Sequence, residues 1–304
     1  MVQVARLAPQ ILGNSTPLVV DFFAQQRHPD GGFRDRAGNS DLYYSVFGIE
    51  GSLALQQTLP ADWLLSYVRS CSRNLASLDL VHLSCLARCW NAAATHSRGA
   101  CPVEELVDEV LKYRGADGGY RLGHEGEASS LYGCFVAVGA FQDLGYPIPH
   151  LDSLLDFVTS LRDPRGGYYN SLDMPISLAP QTAGAVGLMR SVGRLESMER
   201  AAEWLLSCFH PQGGFCVSEL MPIPDLLSTA TVLHALAALK VDVDVEISEL
   251  CLDFIDSLWT NRGGFYGQWE DTHADVEYTF YALLALGHLS VMPTARIRNE
   301  DSEG

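Results

Sequence analysis

The stretch Gly263 to Gly287, GGFYGQWEDTHADVEYTFYALLALG, carries three features in order: a glycine pair followed by an aromatic, a polar loop, and a segment, Tyr278 to Leu286, that is apolar on nearly every side. A helix of that last kind has no face to give to water and must be enclosed. Just upstream, Ile247, Leu250, Cys251, Phe254, Ile255 and Leu258 fall at the spacing that puts them on one side of a helix, leaving the other side wet. One exposed helix, a glycine turn and one enclosed helix therefore make a unit.

The glycine-aromatic phrase occurs five times, as Gly31-Gly32-Phe33, Gly118-Gly119-Tyr120, Gly166-Gly167-Tyr168, Gly213-Gly214-Phe215 and Gly263-Gly264-Phe265. Steps of 87, 48, 47 and 50 residues separate the first glycines, so the doubled first step hides a sixth unit, whose helices fall in the glycine-free stretch Ser70 to Trp90. Repeats of this length announce an array or a ring. Six pairs of one wet and one enclosed helix satisfy both patterns if the enclosed helices form an inner ring and the amphipathic ones an outer ring. The predicted fold is thus all-α, an (α/α)6 toroid; an open superhelix would leave the inner helices a solvent face that they lack. The paired glycines are expected to end the outer helices as left-handed caps.

With 304 residues, 47% hydrophobic and 19% charged, the chain can bury a large core and is read as one domain over 1–293, with a flexible acidic tail over 294–304. Its formal charge of −17 sets it against nucleic acid and against anionic membranes. No apolar run reaches the ~18 residues of a membrane span, and the start MVQVARLAPQ lacks the layout of a secretion signal, so a cytoplasmic location is expected. Eight cysteines without a Cys-x-x-Cys pair suit reduced core thiols.

The phrases GGFRDRAGNSDLYYSVFGIEGSLAL (31–55) and GGFYGQWEDTHADVEYTFYALLALG (263–287) resemble the repeats of protein prenyltransferase β subunits, the Rab geranylgeranyltransferase type especially, and of the wider squalene-cyclase repeat family. The resemblance covers nearly the whole chain. It implies a toroid whose central cavity holds an isoprenoid, often as a prenyl diphosphate, with zinc activating an acceptor thiol and a helical α subunit as partner; a homodimer is equally open. Where the family has an Asp-x-Cys-Tyr zinc phrase, this sequence reads Asp275-Val276-Glu277-Tyr278. Where the family has Asp-x-x-His, it reads Asp41-Leu42-Tyr43-Tyr44. Asp, Glu and Tyr make a hard oxygen set, better suited to magnesium or to no metal than to zinc. The arginine and lysine that precede the family's Asp-x-Cys are also absent, which leaves His273 as the one residue of the loop Gly267 to Ala274 that could carry positive charge toward a diphosphate.

Asp41, Asp79, Asp225 and Asp275 open inner helices at equivalent places, with Ser45, Thr229 and Thr279 four residues on. Such aspartates are expected to cap helix N-termini. Glu277, in the first turn of an apolar helix, reads either as an anion favoured by the helix dipole or as one of a carboxylate pair with Asp275, pushed apart in pKa so that one stays protonated as an acid. His82, Cys85 and Cys89 share one helix face and read either as a core face or as part of a zinc site. Aromatics recur on the inner helices: Tyr43, Tyr44, Phe47, Tyr132, Phe135, Tyr278, Phe280 and Tyr281. Part of them belongs to the core, and the rest would line a cavity suited to a polyprenyl chain or to carbocations; Tyr44, Tyr132 and Tyr278 are expected to face inward.

The leading functional expectation is an isoprenoid-processing enzyme of the prenyltransferase β-subunit type. Asp275, Glu277 and Tyr278 form its reacting end, with Asp275 and Glu277 as metal ligands if zinc or magnesium binds. Tyr43, Tyr44, Phe47, His82, Tyr132, His273 and Tyr281 contact the substrate. A second reading is a class II terpene cyclase started by protonation from Asp275 or Glu277, although the Asp-x-Asp-Asp signature is absent. A third is a glycosidase or lyase with two carboxylates across a cleft, and a fourth is a toroid that binds a lipid or a protein without chemistry.

Overall fold

The six segments read as enclosed fold into helices, and so do their amphipathic partners. In chain order the helices are α1 (Val2–Ala5), α2 (Pro9–Leu12), α3 (Thr16–Gln25), α4 (Leu42–Ala54), α5 (Ala61–Cys71), α6 (Leu80–Ala93), α7 (Val103–Leu111), α8 (Leu131–Asp143), α9 (Leu151–Ser160), α10 (Ala179–Ser191), α11 (Ala201–Ser207), α12 (Leu226–Ala238), α13 (Val245–Ser257) and α14 (Val276–Leu289). The computed structural model describes residues 1–93, 101–123, 127–198 and 200–292, and the tail expected over 294–304 lies outside them.

Helices α4, α6, α8, α10, α12 and α14 pack each on the next, and α14 packs on α4. The inner ring closes. Their partners α3, α5, α7, α9, α11 and α13 lie outside it, each burying one stripe: α7 buries Leu106, Val107 and Val110, and α13 buries Cys251, Phe254 and Ile255. In the glycine-free second unit a 3-10 turn, Ser72–Ser77, joins α5 to α6.

The glycines act differently from the expectation. Outer helices end in right-handed residues such as Gln26 (φ −81°) and Leu258 (φ −94°), so the glycine pairs do not cap them. Each first glycine instead sits against the backbone of the next outer helix. A Cβ on Gly31 would lie 2.3 Å from the Trp63 carbonyl oxygen, and one on Gly263, which has φ +88°, would lie 2.1 Å from that of Leu18. The sixth repeat thus docks on the first in the outer ring as well.

The aromatic after each glycine pair is buried and, in four of the five, bridges antiparallel to the residue that caps the inner helix: Phe33 to Asp41, Tyr120 to Ser130, Phe215 to Asp225, Phe265 to Asp275. Its N–H donates to the hydroxyl four residues past the cap, over 2.8 Å to Ser45, 2.9 Å to Thr229 and 3.1 Å to Thr279. Thr182 receives Tyr168 in the same way at 2.9 Å. That repeated bond satisfies a buried donor and fixes the loop over the helix N-terminus, which is where the candidate site lies. At the other end of the ring α1 packs on α14 and α4, with the Val4 carbonyl against Gly287.

Candidate active site

Four aspartates cap inner helices as expected. Asp41, Asp225 and Asp275 accept from the backbone N–H of Tyr44, Ser228 and Tyr278, and Asp79 accepts from His82. Six N-terminal ends gather these caps at one mouth of the ring.

Closure of the ring brings the first and last units face to face there. The Tyr43 hydroxyl donates to Glu277 Oε1 over 2.6 Å. Arg36, from the loop between β1 (Phe33–Arg34) and β2 (Ser40–Asp41), crosses the seam: its Nε donates to Asp275 Oδ2 over 2.7 Å, and its two terminal nitrogens donate to Asp271 over 3.1 and 3.0 Å. The guanidinium also stacks 5.4 Å above the Tyr278 ring. Sequence reasoning missed Arg36 and Asp271. The signal available was ring closure itself, which sets the loop of the first repeat beside that of the sixth.

The two carboxylates expected to act as a pair are held in different ways. Asp275 is buried but bonded to a cation and to a helix N–H; burial raises its pKa, while Tyr278 N–H and Arg36 pull it back. Glu277 is held by a neutral phenol. Burial pushes its carboxyl up to about 7, the Tyr43 hydrogen bond opposes the rise and the charge of Asp275 adds to it. Near neutral pH Glu277 is therefore partly a carboxylic acid, the state from which a proton can be delivered.

Aromatic rings surround it. Tyr43 packs edge-on against Tyr44 and Phe47, with centroids 5.7 and 5.0 Å apart, and Phe47 packs on Tyr281 at 5.4 Å and Phe280 at 6.0 Å. Burial and then neighbouring charge, that of Glu277 included, raise the phenols of Tyr132 and Tyr281, and Tyr44 is raised to about 12. Tyr43, Tyr44, Tyr132 and Tyr281 thus share one neighbourhood with Glu277. The Tyr278 ring covers Gly267, where a Cβ would lie 2.5 Å from Cζ, and lies beneath Arg36. His273 is exposed and bonded to Thr272.

On the opposite wall the inner helices keep an open face. Phe135 of α8 retains 39% exposure although α6 and α10 flank its helix. Gly184 and Gly187, one turn apart on α10, would each carry a Cβ only 3.7–3.8 Å from that ring, with no closer neighbour. Small residues here and aromatics on α4 and α14 make the interior lopsided.

At the far end, Arg88 of α6 joins Glu50 of α4 over 2.6 Å and Asp143 of α8 over 2.5 Å, and His234 bonds His288 over 2.9 Å. A cavity of about 170 Å³ lined by Glu50, Leu53, Arg88 and Val2 lies beside this charged floor. A larger groove of about 460 Å³ between α2, α13 and α14 is outside the ring and away from Glu277.

Among the described residues no three His, Cys, Asp or Glu side chains are grouped so as to hold an ion. His82 turns away from Cys85 and Cys89 to lie between Asp79, at 2.8 Å, and Asp41, at 3.5 Å. The Asp41 hydrogen bond, with Asp79 adding, raises it to about 9 against the opposing effect of burial. Cys85 and Cys89 are buried, which pushes both thiols up, that of Cys85 to about 12. Asp275 and Glu277 are engaged by Arg36 and Tyr43. The described residues, so arranged, do not fit zinc or magnesium. Arg36 and His82 stand at the mouth, and each is already held between two carboxylates.

The family model for the prenyltransferase alpha-alpha toroid domain matches residues 18–80 and 182–300, more than half of the chain. The chain belongs to this family. Among solved structures, this prenyltransferase-type toroid is similar to Candida albicans protein geranylgeranyltransferase-I complexed with GGPP, at 15% identity and a TM-score of 0.68, over 95% of this chain and 98% of that one. It is also similar to a type II terpene cyclase from Scytonema, in a complex with geranylgeranyl dihydroxybenzoate, at 16% identity and a TM-score of 0.60, over 93% and 97%. An α-1,6-mannanase from Salegentibacter matches at 12% identity and a TM-score of 0.63, over 92% and 99%. Identities this low establish a common fold and leave the chemistry to the site. No curated protein sequence matches the chain. Among the described residues no helix is long and apolar enough to cross a membrane.

Proposed function

We propose that this toroid processes an isoprenoid held in its centre, and that Glu277 starts the reaction by protonating it, in the manner of a class II cyclisation. The observation that carries the reading is the contrast between the two neighbouring carboxyls: Asp275 is ion-paired to Arg36, whereas Glu277 rests on the Tyr43 hydroxyl in a desolvated aromatic wall. The Arg36 ion pair favours the charged form of Asp275, whereas burial favours the acid form of Glu277, so the contacts assign a spectator and an acid. In the proposed step the Glu277 O–H proton passes to a terminal alkene carbon or epoxide oxygen of the substrate. The carbocation formed is met by the π faces of Tyr43, Phe47, Tyr132 and Tyr281, ring closure follows, and loss of a proton from carbon to a base or to water ends it. Mass is conserved and no diphosphate leaves. Tyr44 and His82 take the rim of the site in this reading.

Prenyl transfer of the β-subunit type, with a helical α subunit, finds less support, because the described residues do not fit a thiol-activating metal and Arg36 and His82 are already paired with carboxylates. The glycosidase reading loses ground as well: Asp275 and Glu277 stand on one helix turn and not across a cleft. The test is incubation of the purified chain with geranylgeranyl and squalene-type alkenes and epoxides, scored by mass spectrometry. The expected product is a cyclic isomer of unchanged mass formed in the presence of chelator. Release of pyrophosphate that requires added zinc would overturn the reading in favour of prenyl transfer.

A further inference from the structure

The mouth of the ring carries apolar side chains that the core does not use. In the fourth repeat, the hairpin of β3 (Tyr169–Ser171) and β4 (Met174–Ser177) leaves Leu172, Met174 and Ile176 exposed by 60%, 50% and 48%. In the fifth, Leu220 and Met221 are exposed by 77% and 50%. The two loops are joined: the Ala179 N–H donates to the Val217 carbonyl over 2.7 Å, and Arg165 at the base of the hairpin is bonded to Glu219. Both run into the N-termini of α10 and α12, the end of the ring at which Glu277 stands.

We propose that this apolar lip inserts into the surface of an electrically neutral, zwitterionic lipid bilayer and seats the mouth of the toroid on it. The shape of the patch argues for a liquid partner. Leu172 and Leu220 stand in turns, where a rigid protein surface would need matching hollows and a bilayer needs none. The area argues the same way: five such side chains expose on the order of 500 Å² of apolar surface, enough to mark an interaction site but short of the ~800 Å² that each partner of a stable protein pair buries. Charge then chooses the lipid. Asp173 lies within the lip, Glu219 adjoins it, and the chain as a whole carries −17, so anionic headgroups are repelled and the outermost quaternary ammonium of phosphatidylcholine is favoured. An apolar surface at the N-terminal end of the inner ring would let a water-insoluble substrate pass from membrane toward the interior without crossing bulk water. The contact itself stands apart from the chemistry proposed for Glu277.

The experiment is co-sedimentation of the full chain with phosphatidylcholine vesicles at physiological salt, with no isoprenoid present, so its outcome is independent of the activity. The wild type is expected in the vesicle pellet, and the double variant Leu172→Asp, Leu220→Asp is expected to bind at least tenfold more weakly with an unchanged circular dichroism spectrum and melting temperature. Adding phosphatidylserine is expected to weaken the binding of the wild type. A wild type that stays in the supernatant, a double variant that binds as well as the wild type, or binding strengthened by phosphatidylserine would each overturn the proposal. So would a dimer in analytical ultracentrifugation that the same two substitutions dissociate, which would make the lip a contact between copies of this chain.

Discussion

Tyr43 and Glu277 are 234 positions apart in the chain, yet a hydrogen bond of 2.6 Å joins them across the seam where α14 packs on α4. The bond has two consequences. It orients the carboxyl within the aromatic wall, and it restrains the rise in pKa that burial imposes on Glu277.

Turnover that needs the protonated acid is expected to fall as pH rises through about 7. Tyr43→Phe removes a bond that favours the carboxylate, so the alkaline limb of the pH–rate profile should move to higher pH, while Glu277→Gln should lower turnover by at least 10³-fold. A profile that Tyr43→Phe leaves in place, or a fully active Glu277→Gln, would take the proton delivery away from Glu277.

Stability carries the same signature with a definite sign. The folded-state pKa of Glu277 is raised from 4.5 to about 7, so its contribution is fully present below about pH 4.5 and is lost as pH rises through about 7. At pH 8 the buried carboxylate costs roughly 2–3 kcal/mol. Glu277→Gln avoids that cost, and urea unfolding should find the variant more stable than the wild type at pH 8 and nearly equal to it at pH 4.5. A difference independent of pH would contradict the assignment.

Arg36→Ala would leave the buried carboxylate of Asp275 with its helix N–H but without its cation. A loss of about 2–3 kcal/mol is expected, read as a lower urea midpoint. Arg36→Lys should recover part of it, because an ammonium replaces the charge but not the forked contact with Asp271. Equal stability of Arg36→Ala and the wild type would mean that the seam is held by helix packing alone.

Gly263→Ala forces a Cβ to within 2.1 Å of the Leu18 carbonyl at a φ of +88°. The expected cost is about 3 kcal/mol or more. Gly38→Ala is the control: its φ is +86° and nothing lies within 4 Å, so only the conformational penalty of about 1–2 kcal/mol applies. Matching melting temperatures for the two variants would show that close approach to α3 is not what the glycine serves.

The architecture was legible because its signals are local and repeated. A helix apolar all round, such as the one from Tyr278 to Leu286, has few places to go, and six copies leave a ring. The caps were legible for the same reason, and the repeated Ser45, Thr229 and Thr279 pointed to a shared duty that only the N–H donors of Phe33, Phe215 and Phe265 explain. The site was legible in part. Glu277 and Tyr43 stood out as departures at shared positions, whereas Arg36 looked like any loop arginine until closure set it 2.7 Å from Asp275. Side-chain choice between competing partners was not readable at all. His82 does share a helix with Cys85 and Cys89, but it takes the nearer and stronger offer of two carboxylates. Arg88 gave no warning that it spans Glu50 and Asp143.

An open stack of repeats frays from its first and last members, which have one neighbour each. In this molecule the Gly263 turn rests on α3 and α14 rests on α4, so every repeat has two neighbours and there is no weak end from which melting can begin. Cooperativity is the consequence: the circle should come apart in a single transition. Its assembly should wait on one slow event, the meeting of segments more than 200 residues apart, since contacts of such long range are the last that a chain can afford to make.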